Sequence, residues 1–485
     1  MSKETASNNK EIFPIRKGEL MLFFTVSIMM ILTLYVYSVL RNTKDVLILS
    51  NIGAELLSTV KLYGVLPSAI IFMIVYTKLA NTTTRLNIYY ILIAFFAVFF
   101  AGFALFMYPN IDSLKIDVSS AIESTPYLKY ILLMISYWPY ALFYIMSELW
   151  GSVMVSLMFW QLVNQIVSIE QAKRFYPLFG FLGQIGLLSS GLVMKAFGVM
   201  EISWGDALNY VIISVIVSAV IMVIALYFLS NNVVNKEVIN GVSKKKSKSK
   251  AGVVESLKYV LSSRYIGLIT MLVVCYGISI NLVEGVWKKK IELYFAMPTK
   301  IGVFMADVQI YTAIMTFVMM LVASYVLRRY SWKVCAMITP IMLGITGVLF
   351  FIFVSSDKQI EAHFAMMTGL AALLAVLCGA AQNVLSKSTK YSLFDSTKEM
   401  TYIPLDEDLK AKGKAAADVI GGRLGKSGGA VVQWSLLTIF PSMTLIDLAP
   451  SLFGVFVVII VMWGFSVNTL SGDFKQALKT KEEAA

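Results

Sequence analysis

A polar stretch from Leu385 to Gln433 lies between two strongly apolar helical segments, and its last portion reads Gly421-Gly422-Arg423-Leu424-Gly425-Lys426-Ser427-Gly428-Gly429. This portion places two cations three residues apart and leads into an apolar run that ends near residue 439. Residues three apart share one face of a helix, and glycines allow a neighbouring backbone to approach closely. Ionisable groups at membrane depth are costly and usually serve a proton, an ion or an anionic partner. The stretch therefore predicts a cationic surface inside a membrane protein, either facing an anion or paired with carboxylates of other helices.

The composition extends this prediction to the whole chain. The 485 residues are 58% hydrophobic and 14% charged, with a mean hydropathy of +0.75. This is too little polar surface for a soluble protein of that length. Apolar runs recur at lengths that can cross a bilayer, which indicates an all-α membrane protein with twelve transmembrane helices. The runs cover residues 20–40, 59–79, 88–108, 128–165, 176–198, 206–229, 266–287, 302–327, 334–354, 363–386, 415–439 and 450–470.

A basic linker divides these runs into two sets of six. The predicted organisation is a cytoplasmic tail (1–19), a six-helix bundle (20–230), a basic linker with an interfacial helix (231–264), a second six-helix bundle (265–471) and a cytoplasmic tail (472–485). The linker carries five lysines between residues 244 and 250, and the positive-inside rule assigns it to the cytoplasm. That assignment requires the 128–165 run to be one long helix, kinked near Pro139 or Gly151, rather than two spans.

The two sets also share a glycine pattern. Gly180, Gly183 and Gly186 in the fifth run match Gly422, Gly425 and Gly428 in the eleventh, both as GxLGxxG and about half the chain length apart. A polar cytoplasmic segment precedes each copy, so the copies have the same topology. Such parallel repeats predict a major-facilitator-like bundle.

Several cations are candidates for binding a phosphorylated anion, because lysine acts as a point charge and arginine as a fork. The candidates are Lys61, Arg423 and Lys426 at membrane depth, Lys387 and Lys390 near the start of the polar stretch, and Arg41 and Lys44 in a predicted external loop. Lys288, Lys289 and Lys290 fall in another predicted external loop. The cations of both loops would either line the mouth of an anion pathway or simply lie on the surface. The stretch is not a phosphate-binding P-loop, since that motif needs glycine where Ile420 stands.

Two carboxylates lie within predicted spans. Glu148 and Glu284 are expected either to neutralise the cations of an empty site and release them to a substrate, or to form ion pairs between helices. Asp395, Asp406 and Asp408 lie among lysines and are expected to belong to an ionic gate on the inner face. Tyr144 on an aromatic face could stack a planar base, whereas Asn164 and Gln184 are candidates for hydrogen bonds to its edge. One histidine and three isolated cysteines predict no metal site and no cofactor.

Four longer motifs make the chain resemble a known family, the nucleotide translocases of obligate intracellular bacteria and plastids, typified by ATP:ADP exchangers. The motifs are Leu66-Pro67-Ser68-Ala69, Ala172-Lys173-Arg174-Phe175-Tyr176-Pro177-Leu178-Phe179-Gly180, Tyr276-Gly277-Ile278-Ser279-Ile280-Asn281-Leu282-Val283-Glu284, and Lys390-Tyr391-Ser392-Leu393-Phe394-Asp395 continuing to Tyr402-Ile403-Pro404-Leu405-Asp406. The resemblance covers essentially the whole chain. Charged positions associated with transport in the family fall on Lys61, Glu148, Glu284 and Lys426.

This resemblance implies an alternating-access transporter, not an enzyme, that exchanges external ATP for internal ADP across a bacterial inner membrane. The implied partners are nucleoside tri- and diphosphates and the lipid bilayer, without nucleic acid, and a monomer is expected. Gly183-Gln184 stands where the adenylate exchangers carry Ala-Asn, and the longer amide leaves the base open. The alternatives are GTP and GDP, pyrimidine nucleotides or another organic phosphate. A membrane enzyme acting on a phosphorylated lipid through the inner aspartates is a further alternative.

Overall fold

Twelve helices form the bundle in the computed structural model, which describes residues 15–200, 202–240, 263–363, 370–405, 413–414, 417 and 421–483. We number them α1 Leu20–Asn51, α2 Leu56–Thr82, α3 Arg85–Met107, α4 Trp138–Ile166, α5 Ile169–Val199, α6 Trp204–Val233, α7 Arg264–Tyr294, α8 Pro298–Arg329, α9 Trp332–His363, α10 Leu370–Met400, α11 Gly422–Ile439 and α12 Ala449–Glu483. The all-helical class is as expected. The predicted lysine run and most of the interfacial helix lie outside the described residues.

Eleven of the described helices are long and apolar enough to cross a membrane. The helix outside that set is α11, which contains Arg423, Lys426 and Gln433 in its 18 residues. These side chains lower its mean hydropathy, although α11 occupies the position of the eleventh predicted span. The prediction of twelve spans therefore corresponds to eleven apolar helices and one polar helix.

The first and seventh helices are longer than predicted. Each has more than 30 residues, which at 1.5 Å per residue is roughly 46 to 48 Å and exceeds the ~30 Å hydrocarbon core. Arg41 and Lys44 therefore lie within α1, and Lys288, Lys289 and Lys290 within α7, all of them buried except the half-buried Arg41. Their predicted place in external loops was wrong. Carboxylates on neighbouring helices partner several of these cations, so the helices continue through charged positions.

The fourth span is shorter than the predicted 38-residue helix. The chain breaks at Tyr137, whose φ of −101° and ψ of 39° are not helical, and a separate short helix, Pro126–Ser136, precedes the break. Pro139 follows in the first turn of α4, where the missing backbone N–H removes no helical hydrogen bond. One crossing remains, as predicted, but the continuous kinked helix was wrong.

The glycine pattern has the same structural role in both copies. Gly183 and Gly186 of α5 lie against α1, where a Cβ on Gly186 would come within 2.4 Å of the Ile31 carbonyl oxygen. Gly425 of α11 lies against α7, where a Cβ on Gly277 would come within 2.6 Å of the Gly425 Cα. Helices five and eleven thus pack backbone to backbone on helices one and seven. This equivalence is what a parallel repeat requires.

The first six helices (the N-terminal half) and the last six (the C-terminal half) are joined at the end of the bundle where α1 and α7 have their C-termini, which we call the far end. Lys289 Nζ lies 3.1 Å from Glu55 Oε2, and the Ala54 backbone N–H donates to Glu292 Oε2 at 2.7 Å. Both contacts cross between the halves. The far end is therefore closed by buried polar groups.

A second set of contacts extends this closure along α5 and α8. Lys195 Nζ lies 2.6 Å from Asp307 Oδ1. Nearer the centre, the Asn42 amide donates to Gln309 Oε1, and the Gln309 amide donates to the Leu187 carbonyl oxygen at 2.9 Å. Gln309 thus bridges α1, α5 and α8.

Candidate functional site

Buried and half-buried charges from both halves meet directly below the far-end closure. We call this group the charge cluster, and its members are Arg41, Lys44 and Asp45 of α1, Lys61 of α2, Glu148 of α4, Glu284 and Lys288 of α7, and Lys387 of α10. It contains five cations and three carboxylates. Charges in such a setting are retained when they are paired or when they serve a ligand.

Glu284 is the centre of the cluster. Its Oε1 lies 3.4 Å from Arg41 NH2, 3.4 Å from Lys387 Nζ and 3.8 Å from Lys288 Nζ. The Arg41 contact joins α1 to α7 and therefore crosses between the halves. One carboxylate cannot neutralise three cations, so this part of the cluster has excess positive charge. The predicted pairing of Glu284 with cations is therefore observed, together with cations left over.

Asp45 is the carboxylate that the sequence analysis missed. Its two oxygens contact Lys44 Nζ at 3.0 Å and Lys288 Nζ at 2.8 Å, and the side chains of both lysines are only 3% exposed. The signal in the sequence was an acid directly following a lysine. It was overlooked because α1 was expected to end before residue 41.

Glu148 connects α4 to the cluster through Lys44. The Lys44 ammonium lies 3.0 Å from Glu148 Oε1 and 3.6 Å from the centre of the Tyr144 ring. Tyr144 is fully buried, and the ammonium lies over its ring. In this arrangement the ring holds Lys44 through a cation–π contact rather than presenting a free face to a base.

Three of the predicted phosphate-binding cations have no carboxylate within ion-pair distance among the described residues. Lys61 Nζ instead lies 2.9 Å from the amide oxygen Oδ1 of Asn281 on α7. Lys61 lies on a wide, π-helical turn, a feature often found at functional sites. Lys426 and Arg423 are exposed at the start of α11, and Lys426 interacts electrostatically with Glu148. Lys61 and Lys426 thus lie at the charge cluster with no ion-pair partner among the described residues, whereas no hydrogen bond or ion pair joins Arg423 to the cluster in that part of the chain.

Lys390 and Asp395 lie outside the charge cluster. They pair with each other at 2.9 Å within α10, and Lys390 also lies 4.5 Å from the centre of the Tyr391 ring. Because both partners belong to one helix, this pair does not by itself close the two halves. The gate role of Asp395 stays a prediction, and its expected companions Asp406 and Asp408 lie outside the described residues.

The two amides expected to contact a base lie at different depths. Asn164 follows Glu148 by 16 residues, about 24 Å along α4, and accepts a hydrogen bond from the Tyr176 hydroxyl at 2.5 Å. Gln184 neighbours Gly183, which packs on Leu34 of α1, seven residues or about 10 Å below Arg41. The buried Gln184 Oε1 has no hydrogen-bond partner in the described part of the chain. Only Gln184 is within a nucleotide's reach of the charge cluster.

Solved structures share this architecture. A bacterial homologue of the iron transporter ferroportin, solved in an inward-facing state, aligns with a TM-score of 0.60 over 94% of this chain and 98% of its own, at 14% identity. A D-xylose-proton symporter aligns with a TM-score of 0.56 over 93% and 97%, also at 14% identity. These likenesses show the fold alone. The fold is therefore a major-facilitator-like bundle of membrane helices, with a cluster of charges where its two halves meet.

Sequence relatives identify the family. The family model described as TLC ATP/ADP transporter matches residues 1–474. "ADP,ATP carrier protein 1" of Rickettsia bellii is 39% identical over 98% of this chain and 97% of its own length, and that of Rickettsia prowazekii is 40% identical over the same shares. "ADP,ATP carrier protein 3" of Rickettsia felis is 40% identical over 96% and 97%. The chain belongs to the TLC ATP/ADP transporter family, and the resemblance noted in the sequence is confirmed.

Proposed function

We propose that this protein exchanges external ATP for internal ADP by alternating access. The observation that carries the proposal is the charge cluster, which is buried, is built by both halves and contains more cations than carboxylates. A polyphosphate is the kind of ligand that such an excess of lysine and arginine binds. The names of the curated relatives, ADP,ATP carrier proteins, supply the nucleotide.

Binding and transport follow from the pairing pattern. In the ligand-free arrangement Glu284, Asp45 and Glu148 neutralise part of the positive charge. The phosphates bind Lys61 and Lys426, which have no carboxylate within ion-pair distance among the described residues, and compete with Glu284 for Arg41. Because Arg41 and Glu284 belong to opposite halves, exchanging their contact for a shared anion allows the halves to rock.

The base has a place in the same proposal. With the phosphates in the charge cluster, a nucleotide lying along the bundle axis reaches Gln184, whose buried amide oxygen has no hydrogen-bond partner among the residues that the structure describes. An amide oxygen accepts a hydrogen bond from an exocyclic amino group, which adenine carries. Gln184 therefore remains the base-contact candidate that the geometry supports, ahead of Asn164 and Tyr144.

Exchange is tested with purified protein in liposomes. Vesicles preloaded with ADP are expected to take up labelled ATP, and empty vesicles are not. Equal uptake into empty vesicles would contradict obligatory exchange. Competition by GTP, CTP, UTP and inorganic phosphate tests the cargo, because stronger inhibition by any of these than by unlabelled ATP or ADP would overturn the adenylate assignment. Recovery of the label as unchanged ATP excludes an enzymatic conversion.

We also propose the bacterial inner membrane as the location, with both termini in the cytoplasm and a monomer as the functional unit. The support is the excess of lysine and arginine in the two tails and in the segments that follow even-numbered predicted spans, which this orientation places in the cytoplasm. Fluorescent protein fused to the C-terminus should fluoresce, and alkaline phosphatase fused there should be inactive. The reverse pattern would contradict the orientation, and a dimeric mass in detergent would contradict the monomer.

A further inference from the structure

Lys61 differs from the other cations of the charge cluster in its partner. Arg41, Lys288 and Lys387 contact Glu284, and Lys44 contacts Asp45. Lys61 contacts the neutral Oδ1 of Asn281 at 2.9 Å, and no carboxylate lies within ion-pair distance of it among the described residues. Its positive charge is therefore held in place without being cancelled.

The amide of Asn281 is itself fixed on both sides. Its Nδ2 donates to the Gly277 carbonyl oxygen at 2.8 Å, which leaves Oδ1 as the atom that faces Lys61. Gln433 of α11 donates to the Asn281 backbone carbonyl oxygen at 2.8 Å. Gly429 presses on the same residue, since a Cβ there would come within 2.6 Å of the Asn281 Cβ. Asn281 is held between α7 and α11 and cannot easily turn away.

We propose that Asn281 is a positioning residue for the transport reaction, which holds the Lys61 ammonium in the site as an uncancelled charge for the substrate phosphates. This inference rests on the proposed function. A neutral acceptor satisfies a buried donor and removes the cost of leaving it unpaired. A carboxylate at the same position would cancel the charge and compete with the phosphate. The Lys61–Asn281 contact also joins the two halves. It holds Lys61, a phosphate-binding residue of the N-terminal half, against the C-terminal half.

The test is a double-mutant cycle between Asn281→Asp and Lys61→Gln, measured as ATP/ADP exchange in liposomes. Asn281→Asp retains the side-chain shape and the acceptor for Lys61 but cancels the Lys61 charge and loses the donor to the Gly277 carbonyl oxygen, a loss that the control variant below shares. We expect it to raise the KM for external ATP about tenfold, the size of a close charge pair's coupling, with Vmax within about threefold of the unmodified protein. In the Lys61→Gln background the same change should raise KM by less than twofold, because the charge it cancels is already absent.

Asn383→Asp is the matched control. The Asn383 amide on α10 makes the same bond to the carbonyl four residues earlier, that of Gly379, and the residue is fully buried, but its Oδ1 has no hydrogen-bond partner in the described part of the chain. Asn383→Asp should change the KM for external ATP by the same factor in the unmodified protein and in the Lys61→Gln background. It measures the cost of burying a new carboxylate.

The outcomes separate this inference from the proposed function. If the unmodified protein does not exchange ATP for ADP, the proposed function fails. If it does, two results would overturn the positioning role. Asn281→Asp could leave the KM for ATP unchanged, or it could raise KM by the same factor in the Lys61→Gln background as in the unmodified protein. If Asn281→Asp does not reach the membrane, Asn281→Ser decides. That change removes the Asn281 Oδ1 acceptor but leaves the Lys61 charge uncancelled. Its effect on KM should again disappear in the Lys61→Gln background. An undiminished effect in that background would overturn the positioning role.

Discussion

At the scale of single residues, the site depends on carboxylates that share more cations than they can neutralise. Glu284 faces three cations, and Asp45 and Glu148 share Lys44. A buried ion pair gains little relative to apolar packing, yet removing one partner leaves an uncompensated charge. The ion pairs of the cluster therefore add little to the stability of the protein. Their role is to lower the cost of burying the cations, so that the site stays positively charged.

Glu284→Gln should separate binding from turnover. The amide no longer competes for Arg41, Lys288 and Lys387, so we expect a lower KM for ATP and a Vmax at least tenfold lower, because the bound nucleotide is released slowly. Thermal stability should also fall, by about 3 to 5 kcal/mol if the cations stay buried. Exchange kinetics and thermal unfolding in detergent check both. Glu399→Gln, an exposed residue paired with Lys414, is the control and should stay within twofold; an unaltered Vmax for Glu284→Gln would refute this account.

Lys426→Ala should impair exchange without harming the fold. The side chain is exposed and makes no ion pair with the described residues, so its removal breaks no buried contact. We expect a loss of at least tenfold in Vmax/KM for ATP, since a phosphate ligand is missing. Membrane insertion, followed by immunoblot, should be unchanged. Lys479→Ala, an exposed lysine near the end of α12, is the control, and equal activity of the two variants would remove Lys426 from the site.

At the scale of helices, glycines decide how closely the polar helix α11 approaches its partner. Gly277 and Gly425 meet backbone to backbone, whereas Gly422 has no atom within 4 Å of the place where its Cβ would stand. Close approach of α7 and α11 brings Asn281 beside Gly429 and Gln433 and so sets the position of Lys61. Packing through small residues is how helices associate in membranes, where apolar burial offers little driving force.

Gly277→Ala and Gly422→Ala should therefore differ sharply. The first places a methyl group 2.6 Å from the Gly425 Cα, so the two helices must separate, and we expect a stability loss of about 1 to 3 kcal/mol from overpacking. Transport should fall with it. Gly422→Ala should be neutral or slightly stabilising, because alanine is the better helix former. Unfolding temperatures in detergent check this, and similar values for both variants would contradict the close-packing argument.

At the scale of the whole molecule, the two halves are held together at the far end while the charge cluster lies below. Glu55 accepts from Lys289 at 3.1 Å and from the Leu445 backbone N–H at 3.4 Å. Gly53 beside it adopts a φ of +121°, a conformation that side chains rarely allow. For a substrate to enter from the far end, these buried contacts must break. The same contacts favour the arrangement in which the far end is closed.

Glu55→Gln should shift that balance. The amide retains the shape but weakens the pairing with Lys289, so the far end should open more often. Ala54, almost fully buried at this closure, can report opening when replaced by cysteine in a background in which Cys275, Cys335 and Cys378 are alanine. We expect Glu55→Gln to increase the labelling rate of this cysteine by a membrane-impermeant maleimide at least threefold.

The control for this experiment is Glu399→Gln in the same cysteine background. It removes an exposed carboxylate away from the far end and should leave the labelling rate unchanged. An identical rate in the Glu55→Gln variant would show that the Glu55 contact does not hold the far end closed.

The sequence by itself determined the membrane class, the order and approximate place of the spans, the glycine repeat and the polar character of α11. These are local properties, because hydropathy and periodicity add up over neighbouring residues. It also singled out Lys61, Glu148 and Glu284, since charges stand out in apolar runs. It placed Arg41, Lys44 and Lys288 in loops, because a charged position ends an apolar run whether or not the helix continues.

Only the tertiary structure decided which charges meet. Arg41 and Glu284 are separated by 243 residues, and Lys61 and Asn281 by 220. Whether such residues touch depends on which helix faces pack together across the two halves, and no local pattern contains that information. The same packing gave Asp45 and Asn281 their partners and left Asn164 far from the cluster, because ion pairs and amide contacts depend on distances of a few ångströms between helices.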